Sequence, residues 1–147
     1  MADDAPSVHA SAVLAGARAV LIRGPAGSGK SRLALAIIEA AQMGLLRFAR
    51  LVGDDRVHLE ACNGRLIVRP ADALAGLIEV RGLGIRRLDY EPRAVVGLIV
   101  DLAAPDAERM PGAEEATICG IPLPHLAIAP GIEPLPPLLA ALRTQAR

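Results

Sequence analysis

Aromatic residues are almost missing from this sequence, which has no tryptophan and only Phe48 and Tyr90. Proteins that stack nucleic-acid bases need exposed aromatic rings and a basic face, whereas the formal net charge here is zero. No apolar run approaches the ~18 residues that a membrane-spanning helix requires. Composition therefore argues against a nucleic-acid partner and against a membrane protein.

Cysteine is scarce as well, since Cys62 and Cys119 are the only two and fit no metal-ligand spacing. The amino terminus opens with acidic residues and lacks the basic start of a secretory signal peptide. We therefore expect a cytoplasmic protein whose thiols stay reduced. A chain of 147 residues suffices for one domain with its own core. We expect a loose tail over residues 1–7 and a single domain over residues 8–147.

Lysine occurs once, at Lys30, among 16 lysine and arginine residues. It lies in the stretch GPAGSGKS, which has the pattern G-x-x-x-x-G-K-[ST] of a phosphate-binding P-loop. Glycines let backbone N–H groups approach phosphate oxygens, and the following helix adds its positive N-terminal dipole. A lysine supplies a compact charge, and the serine hydroxyl suits Mg²⁺. The predicted nucleotide-binding residues are Gly24, Pro25, Ala26, Gly27, Ser28, Gly29, Lys30 and Ser31.

The sequence around this loop supports the motif. Residues 18–23 have the β-branched apolar centre of a buried strand, and the stretch after the loop has a helical apolar stripe that Met43-Gly44 would end. A strand, a glycine-rich loop and a helix in this order are the arrangement that a P-loop requires. We therefore expect ATP and Mg²⁺ as the bound cofactors.

Asp54 and Asp55 follow the short apolar stretch 50–53. Nucleotide enzymes bring a carboxylate to Mg²⁺ or to a nucleophile at the end of such a strand. Neighbouring residues of a strand point to opposite faces, so one aspartate can face the phosphates while the other orients water or metal. An acidic turn at the end of a strand is the alternative explanation.

The segment 76–85 predicts a strand in which Glu79 and Arg81 share one face, followed by glycines such as Gly82 that allow close backbone approach. A surface strand with two solvent-facing charges would give the same pattern. Asn63-Gly64 predicts a type I′ hairpin. Further strands are expected over residues 8–14, 94–102, 118–121 and 126–128, with irregular chain before a closing helix over 138–143.

Five stretches in this order resemble the catalytic domain of the HPr kinase/phosphorylase family, which phosphorylates a serine of the bacterial phosphocarrier HPr. They are Val8-His9-Ala10, the P-loop, residues 51–55, residues 78–85 and Glu108-Arg109-Met110. The resemblance covers roughly residues 8–132, and the stretch 79–85 is its most specific part. It implies an α/β P-loop domain with a mixed sheet, phosphoenolpyruvate-carboxykinase-like, in a short form made of the catalytic domain. It also implies HPr as the partner, a role in regulating the phosphotransferase system, and a homo-oligomer, hexameric in the family.

The resemblance also implies a role for each matching residue. His9 matches the active-site histidine, Lys30 the phosphate-binding lysine and Asp55 the carboxylate that takes the serine proton. Arg109 matches the arginine that stabilises the transferring phosphoryl group. Ser31 and Glu79 match the Mg²⁺ ligands, with Asp54 as a further candidate ligand, and Arg81 and Gly82 belong to the signature.

The chain departs from the family in one basic segment. The family has a Pro-Gly-Arg sequence tied to the phosphorylase direction, whereas here Ile132 follows Pro130-Gly131 and Glu133 comes next. We therefore expect the kinase activity to persist and the phosphorylase activity to be weak.

Two other functions fit the P-loop itself, namely a kinase of small metabolites and a nucleotide-binding switch without catalysis. A GTPase is excluded because its Asn-Lys-x-Asp guanine reader needs an asparagine before a lysine. The chain has one asparagine, Asn63, and it precedes a glycine.

Overall fold

The computed structural model of the protein describes residues 6–105, 107 and 115–144. Within these ranges the chain forms eleven β-strands and two α-helices. The strands are β1 Val8–His9, β2 Ser11–Ala15, β3 Arg18–Arg23, β4 Ala49–Gly53, β5 Arg56–Cys62, β6 Arg65–Pro70, β7 Leu77–Val80, β8 Gly84–Arg87, β9 Ala94–Asp101, β10 Glu115–Ile118 and β11 Ile121–Ala127. The helices are α1 Lys30–Gln42 and α2 Leu135–Arg143. Of the predicted tail over residues 1–7, the structure describes only residues 6 and 7, and β1 begins at Val8.

Nine of the strands found in the described ranges form one sheet in the order β1-β5-β6-β9-β3-β2-β4, with β11 beside β9 and β10 beside β11. β9 runs parallel to β3 and β11 and antiparallel to β6. This confirms the predicted α/β class with a mixed sheet. The parallel trio β3, β9 and β11 brings the carboxyl ends of three strands to the same edge of the sheet.

Both faces of the central strand β3 are buried, which explains its unbroken apolar run. Val20 and Ile22 pack with Leu33 and Ile37 of α1 in one core cluster. Ala19 and Leu21 alternate with them and belong to a second cluster with Leu66, Val68 and Ile99 on the opposite side. The P-loop therefore follows the most deeply buried strand of the fold.

Two hairpin turns have positive φ angles, and the one at Asn63-Gly64 forms as predicted. Gly16, at φ 72°, turns β2 back into the antiparallel β3. Asn63 and Gly64, at φ 53° and 77°, join β5 to β6 with positive φ at both positions, as a type I′ turn requires. α1 ends at Gln42, and Gly44 follows it at φ 82°.

Three predicted boundaries are wrong. Arg81 does not share a strand face with Glu79, because β7 ends at Val80 and Arg81 begins the turn to β8. Residues 118–121 are not a strand, since Cys119 and Gly120 form the positive-φ turn between β10 and β11. α2 begins at Leu135 rather than at residue 138, with prolines in its first turn, where a helix does not need their missing N–H.

The hairpin β7–β8 stands apart from the large sheet as a two-stranded ribbon. Ile78 is buried and joins the core cluster under α1, whereas Leu83 and Ile85 are 66% and 63% exposed. The ribbon is therefore anchored at its base on the side of the P-loop helix. In the part of the chain that the structure describes, no helix has the length and apolar character to cross a membrane.

Candidate active site

The P-loop connects β3 to α1 and contains three glycines with positive φ, namely Gly24, Gly27 and Gly29. A Cβ on Gly24 would lie 2.6 Å from Ser28 Oγ and 3.1 Å from Leu102 Cβ, so only glycine fits there. Among the side chains that the structure describes, Ser28 Oγ is the buried polar atom without a hydrogen-bond partner. A tight turn that encloses an unpaired hydroxyl is suited to a ligand with many acceptor oxygens, such as a phosphate chain.

Lys30 begins α1 and folds back onto the loop. Its Nζ donates hydrogen bonds to the carbonyl oxygens of Gly24, at 2.8 Å, and Pro25, at 3.2 Å. The ammonium group is thereby placed on the loop whose backbone is predicted to hold the phosphates. Because a lysine ammonium has three donor hydrogens and a flexible stem, it can move from these carbonyls to phosphate oxygens.

Asp54 follows β4 and joins three other elements through its carboxylate. Oδ1 accepts hydrogen bonds from Ser11 Oγ at 2.6 Å and from Ser31 Oγ at 2.8 Å. Oδ2 lies 2.8 Å from the same Ser31 hydroxyl and accepts a hydrogen bond from the backbone N–H of Glu79 at 3.2 Å. Asp54 is only 3% exposed. The carboxylate is therefore held in place beside the P-loop by β2, α1 and β7.

Asp55 has the opposite environment although it is the next residue. Its backbone adopts φ 71°, a left-handed conformation that is uncommon outside glycine. Its carboxylate is 65% exposed and lies 3.9 Å from Nδ1 of His9, which is 63% exposed. The unusual φ turns this side chain out of the core while Asp54 stays inside. An exposed carboxylate next to a buried one is accessible to an incoming group and could accept a proton from it.

The other predicted residues differ in whether they contact Asp54. Glu79 is exposed and contacts Asp54 through its backbone N–H, whereas Arg81 and Gly82 lie in the exposed turn of the β7–β8 ribbon. Arg109 lies outside the residues that the structure describes. The structure thus brings together His9, Lys30, Ser31, Asp54, Asp55 and the backbone of Glu79.

Sequence reasoning missed two residues of the site. Ser11 is fully buried, binds Asp54 and accepts a weak hydrogen bond from the backbone N–H of Asp55 at 3.4 Å. Arg56 lies 2.7 Å from the His9 ring through its Nη2. No sequence motif marks either residue as part of a site. The one available hint is closeness in sequence, because Ser11 comes two residues after His9 and Arg56 directly follows the aspartate pair.

A second polar network lies where β3, β9 and β11 end. Arg23 makes two hydrogen bonds to Asp101, at 2.8 and 2.7 Å, and His125 Nε2 lies 2.6 Å from the same carboxylate. Burial raises the pKa of Asp101, but the hydrogen bonds and charges of Arg23 and His125 outweigh it and hold this pKa below its usual value. The signal that could have identified this network is the carboxylate of Asp101 near the end of the strand predicted over residues 94–102.

The oxygen atoms beside the P-loop fit Mg²⁺ that is shared with a nucleotide. Ser31 Oγ and the Asp54 carboxylate are hard donors, and they lie within hydrogen-bond distance of each other. In the described ranges no group of three histidine, cysteine or acidic side chains could hold a metal by itself. Mg²⁺ usually binds one or two protein ligands and completes its shell with phosphate oxygens and water.

Part of this chain is similar in sequence to two proteins of known name. The HPr kinase/phosphorylase of Clostridium beijerinckii is 44% identical over 66 residues, which are 45% of this chain and 20% of that protein. The HPr kinase/phosphorylase of Streptococcus thermophilus is 42% identical over 80 residues, which are 54% of this chain and 24% of that protein. The matching stretches thus cover less than a quarter of each of these curated relatives.

The fold and a family profile extend the match to most of the chain. The structure of the HPr(Ser) kinase/phosphatase from Coxiella burnetii superposes with a TM-score of 0.73 at 29% identity, covering 94% of this chain and 93% of that one. The profile described as HPr Serine kinase C-terminal domain matches residues 2–128. The P-loop, the aspartate pair and the β7–β8 ribbon all lie inside this match. The chain therefore belongs to the HPr serine kinase C-terminal domain family.

Proposed function

We propose that the protein is an ATP-dependent serine kinase that phosphorylates HPr and so takes part in regulating the phosphotransferase system. The observation that carries the proposal is the Ser31–Asp54 contact next to the exposed Asp55. It combines a site for a metal-bound phosphate chain with a free carboxylate one residue away. Family membership and the names of the relatives support HPr as the acceptor.

The nucleotide-binding part of the site consists of the P-loop backbone, Lys30, Ser31 and Asp54. Backbone N–H groups of residues 27–30, at the start of α1, would bind phosphate oxygens. Lys30 leaves its two loop carbonyls and neutralises the outer phosphates. Ser31 and Asp54 would hold Mg²⁺, with Glu79 as a further ligand, and the bound ion would reduce the charge on the phosphates. Arg81 and Gly82 shape the turn beside Glu79.

The acceptor part of the site consists of Asp55 and His9. Asp55 takes the proton of the serine hydroxyl as that oxygen attacks the terminal phosphorus of ATP, and the leaving oxygen stays on ADP. Its exposed position lets a protein substrate reach it. His9 orients the carboxylate from the side. Arg109 is proposed from the family resemblance to stabilise the moving phosphoryl group.

The proposal includes the setting of the reaction. We assign residues 8–147 to one catalytic domain that works as a homo-oligomer, hexameric by family resemblance. The location is the cytoplasm, where ATP is available to a kinase. Sedimentation analysis of the purified protein at several concentrations tests the oligomer, and a monomer at every concentration would contradict it.

The kinase direction should dominate over phosphorolysis. Removal of a phosphate from serine by inorganic phosphate requires two anions in one pocket, and each needs hydrogen-bond donors. Ile132 is 52% exposed and its side chain has no hydrogen-bond donor. Glu133 is paired with Arg32 at 2.6 Å. This segment therefore supplies no free cation to a second anion.

Incubation of the purified protein with ATP, Mg²⁺ and HPr tests the proposal, with phosphoserine detected by mass spectrometry. The expected result is one phosphate on a serine of HPr, formed only when both ATP and Mg²⁺ are present. A panel of small alcohols and sugars serves as the competing acceptors. Phosphorylation of a small metabolite but not of HPr, or ATP binding without any transfer, would overturn the proposal.

A further inference from the structure

Arg56 and His9 face each other across the two-residue pairing of β1 with β5. Nη2 of Arg56 lies 2.7 Å from Nε2 of the His9 ring, and Nη1 of Arg56 donates a hydrogen bond to Ser7 Oγ at 3.1 Å. On its other side the ring presents Nδ1 to Asp55 Oδ1 at 3.9 Å. The imidazole therefore lies between one guanidinium group and one carboxylate.

The backbone on both sides of this contact is held by hydrogen bonds. The N–H of Arg56 donates to the carbonyl of Asp54 at 2.8 Å, and its carbonyl accepts from Ala71 at 3.3 Å. The N–H of Ala10, next to His9, donates to the carbonyl of Asp55 at 3.2 Å. The three side chains thus project from chain segments that are tied to one another.

The chemistry of the guanidinium group determines which ring nitrogen carries the proton. Arginine has five N–H donors and no acceptor, so Nε2 of His9 must supply a lone pair to the contact. The single hydrogen of the neutral ring is then on Nδ1, the atom that faces Asp55. Free imidazole side chains in water favour the other tautomer, with the hydrogen on Nε2. A doubly protonated ring would place two donors against each other at this contact.

We propose that Arg56 is a positioning residue that sets the tautomer of His9 and thereby aims its Nδ1–H at the carboxylate of Asp55. Arg56 acts through the ring and contacts no substrate in this role. The N–H orients the carboxylate so that a lone pair remains directed toward the incoming hydroxyl. The consequence for catalysis rests on the proposed kinase function, whereas the tautomer itself does not.

Nitrogen NMR of histidine-labelled protein tests the tautomer without ATP or HPr. The chain has three histidines, and the His9→Asn variant identifies the His9 signals by their loss. At a pH where the ring is neutral, the wild type should show a protonated Nδ1 and an unprotonated Nε2. Arg56→Met should change His9 to the Nε2–H tautomer, and Arg56→Lys, which keeps a donor, should retain Nδ1–H. Nε2–H in the wild type, or an unchanged tautomer in Arg56→Met, would overturn the proposal.

Kinetics with HPr as acceptor test the consequence. Arg56→Met should lower kcat about tenfold or more because a catalytic group is misplaced, while KM for ATP stays unchanged. Arg56→Lys should recover part of kcat. Arg65→Met is the matched control, since Arg65 is an exposed arginine at the far end of the β5–β6 hairpin. An Arg56→Met variant that alters only KM for ATP, or that retains the wild-type kcat, would contradict the positioning role.

The two experiments separate this inference from the proposed function. If the wild type fails to phosphorylate HPr, the kinase proposal fails, and the tautomer measurement still decides the role of Arg56. If HPr is phosphorylated but His9 carries its hydrogen on Nε2, the kinase proposal stands and the role of Arg56 is refuted. Thermal unfolding of all variants identifies any that do not fold. If Arg56→Met does not fold, Arg56→Lys becomes the informative variant, and it is expected to show the Nδ1–H signal.

Discussion

Asp54 and Asp55 are chemically identical neighbours that the fold treats in opposite ways. Asp54 is buried and its two oxygens are held by two serine hydroxyls and the backbone N–H of Glu79. Asp55 is exposed at φ 71° and has only the ring of His9 near its carboxylate oxygen, at 3.9 Å, among the contacts described above. One carboxylate is fixed in place, and the other is free to exchange a proton.

The difference lets one dipeptide serve the two functions proposed above. A metal ligand has to keep its geometry, so it benefits from burial and from several hydrogen bonds. A general base has to reach a proton on a second molecule, so it has to stay accessible. The change of backbone conformation between the two residues separates these requirements within one peptide unit.

The largest effect is expected from Asp55→Asn. The amide cannot take a proton from serine, so kcat should fall by about 10²–10⁴-fold, as is usual for the loss of a general base. The affinity for ATP, measured by isothermal titration calorimetry, should stay at the wild-type value because Lys30, Ser31 and Asp54 are unchanged. Transfer to HPr at the wild-type rate would show that Asp55 is not the base.

Asp54→Asn should act on stability and nucleotide binding. An amide offers one acceptor oxygen in place of two, so at least one of the buried donors around it loses its partner. The free energy of unfolding should fall by about 1–3 kcal/mol. Urea denaturation measures this change, and Mg²⁺-dependent ATP affinity should fall in the same variant.

Asp55→Asn is the matched control for that measurement. Because its carboxylate is exposed, its free energy of unfolding should change by less than about 0.5 kcal/mol. Equal destabilisation by the two substitutions would remove the distinction between the fixed and the free carboxylate.

Ile132→Arg should raise the rate of the reverse reaction, the phosphorolysis of serine-phosphorylated HPr. A charge-assisted hydrogen bond to a second anion is worth roughly one to two powers of ten, so phosphorolysis should rise about tenfold. The assay supplies serine-phosphorylated HPr with excess phosphate and follows pyrophosphate release, with the ATP-driven rate as reference. A wild-type protein with comparable rates in both directions would contradict the expected kinase preference, and a variant without any gain would weaken it.

A smaller effect than that of Asp54→Asn is expected at Asp101, whose carboxylate contacts Arg23 and His125. Its pKa in the folded protein is lowered, so the ionised form contributes stability that is present above the ordinary pKa of aspartate. This contribution is lost as the pH falls through the lowered value. The free energy of unfolding of the wild type should be about 1 kcal/mol higher than that of Asp101→Asn near neutral pH. The two values should become equal in acid. Thermal unfolding from about pH 7 to pH 2 checks this, and a constant difference would refute it.

Local sequence patterns predicted the parts of the site that depend on a few neighbouring residues. The P-loop, the aspartates after β4 and the Asn63-Gly64 turn each depend on backbone conformations that short motifs specify. The family resemblance added His9 and Glu79. The P-loop, the aspartate pair and the Asn63-Gly64 turn could be identified because glycine, asparagine and strand-end aspartates have strong positional preferences.

Long-range contacts could not be predicted in the same way. Ser11 binds an aspartate 43 positions away, and Arg23 binds an aspartate 78 positions away. These pairs follow from strand order and register, which the periodicity of a single sequence leaves open. The start of α2 was missed for a different reason, since prolines read as breakers although the first turn of a helix accepts them.

Lys30 gives the protein a single side-chain amine that can be labelled chemically. Its ε-amine is the only one among 147 residues, so an amine-selective acylating reagent has a single side-chain target, and that target lies on the P-loop. Acylation would remove the charge that now contacts the Gly24 and Pro25 carbonyls. A bound nucleotide would compete with the reagent for the same amine. Because trypsin does not cleave after an acylated lysine, the peptide 24–32 would replace the peptide 24–30 in molecules whose site was empty. The ratio of the two peptides would report occupancy of the site without a radioactive substrate or an engineered tag.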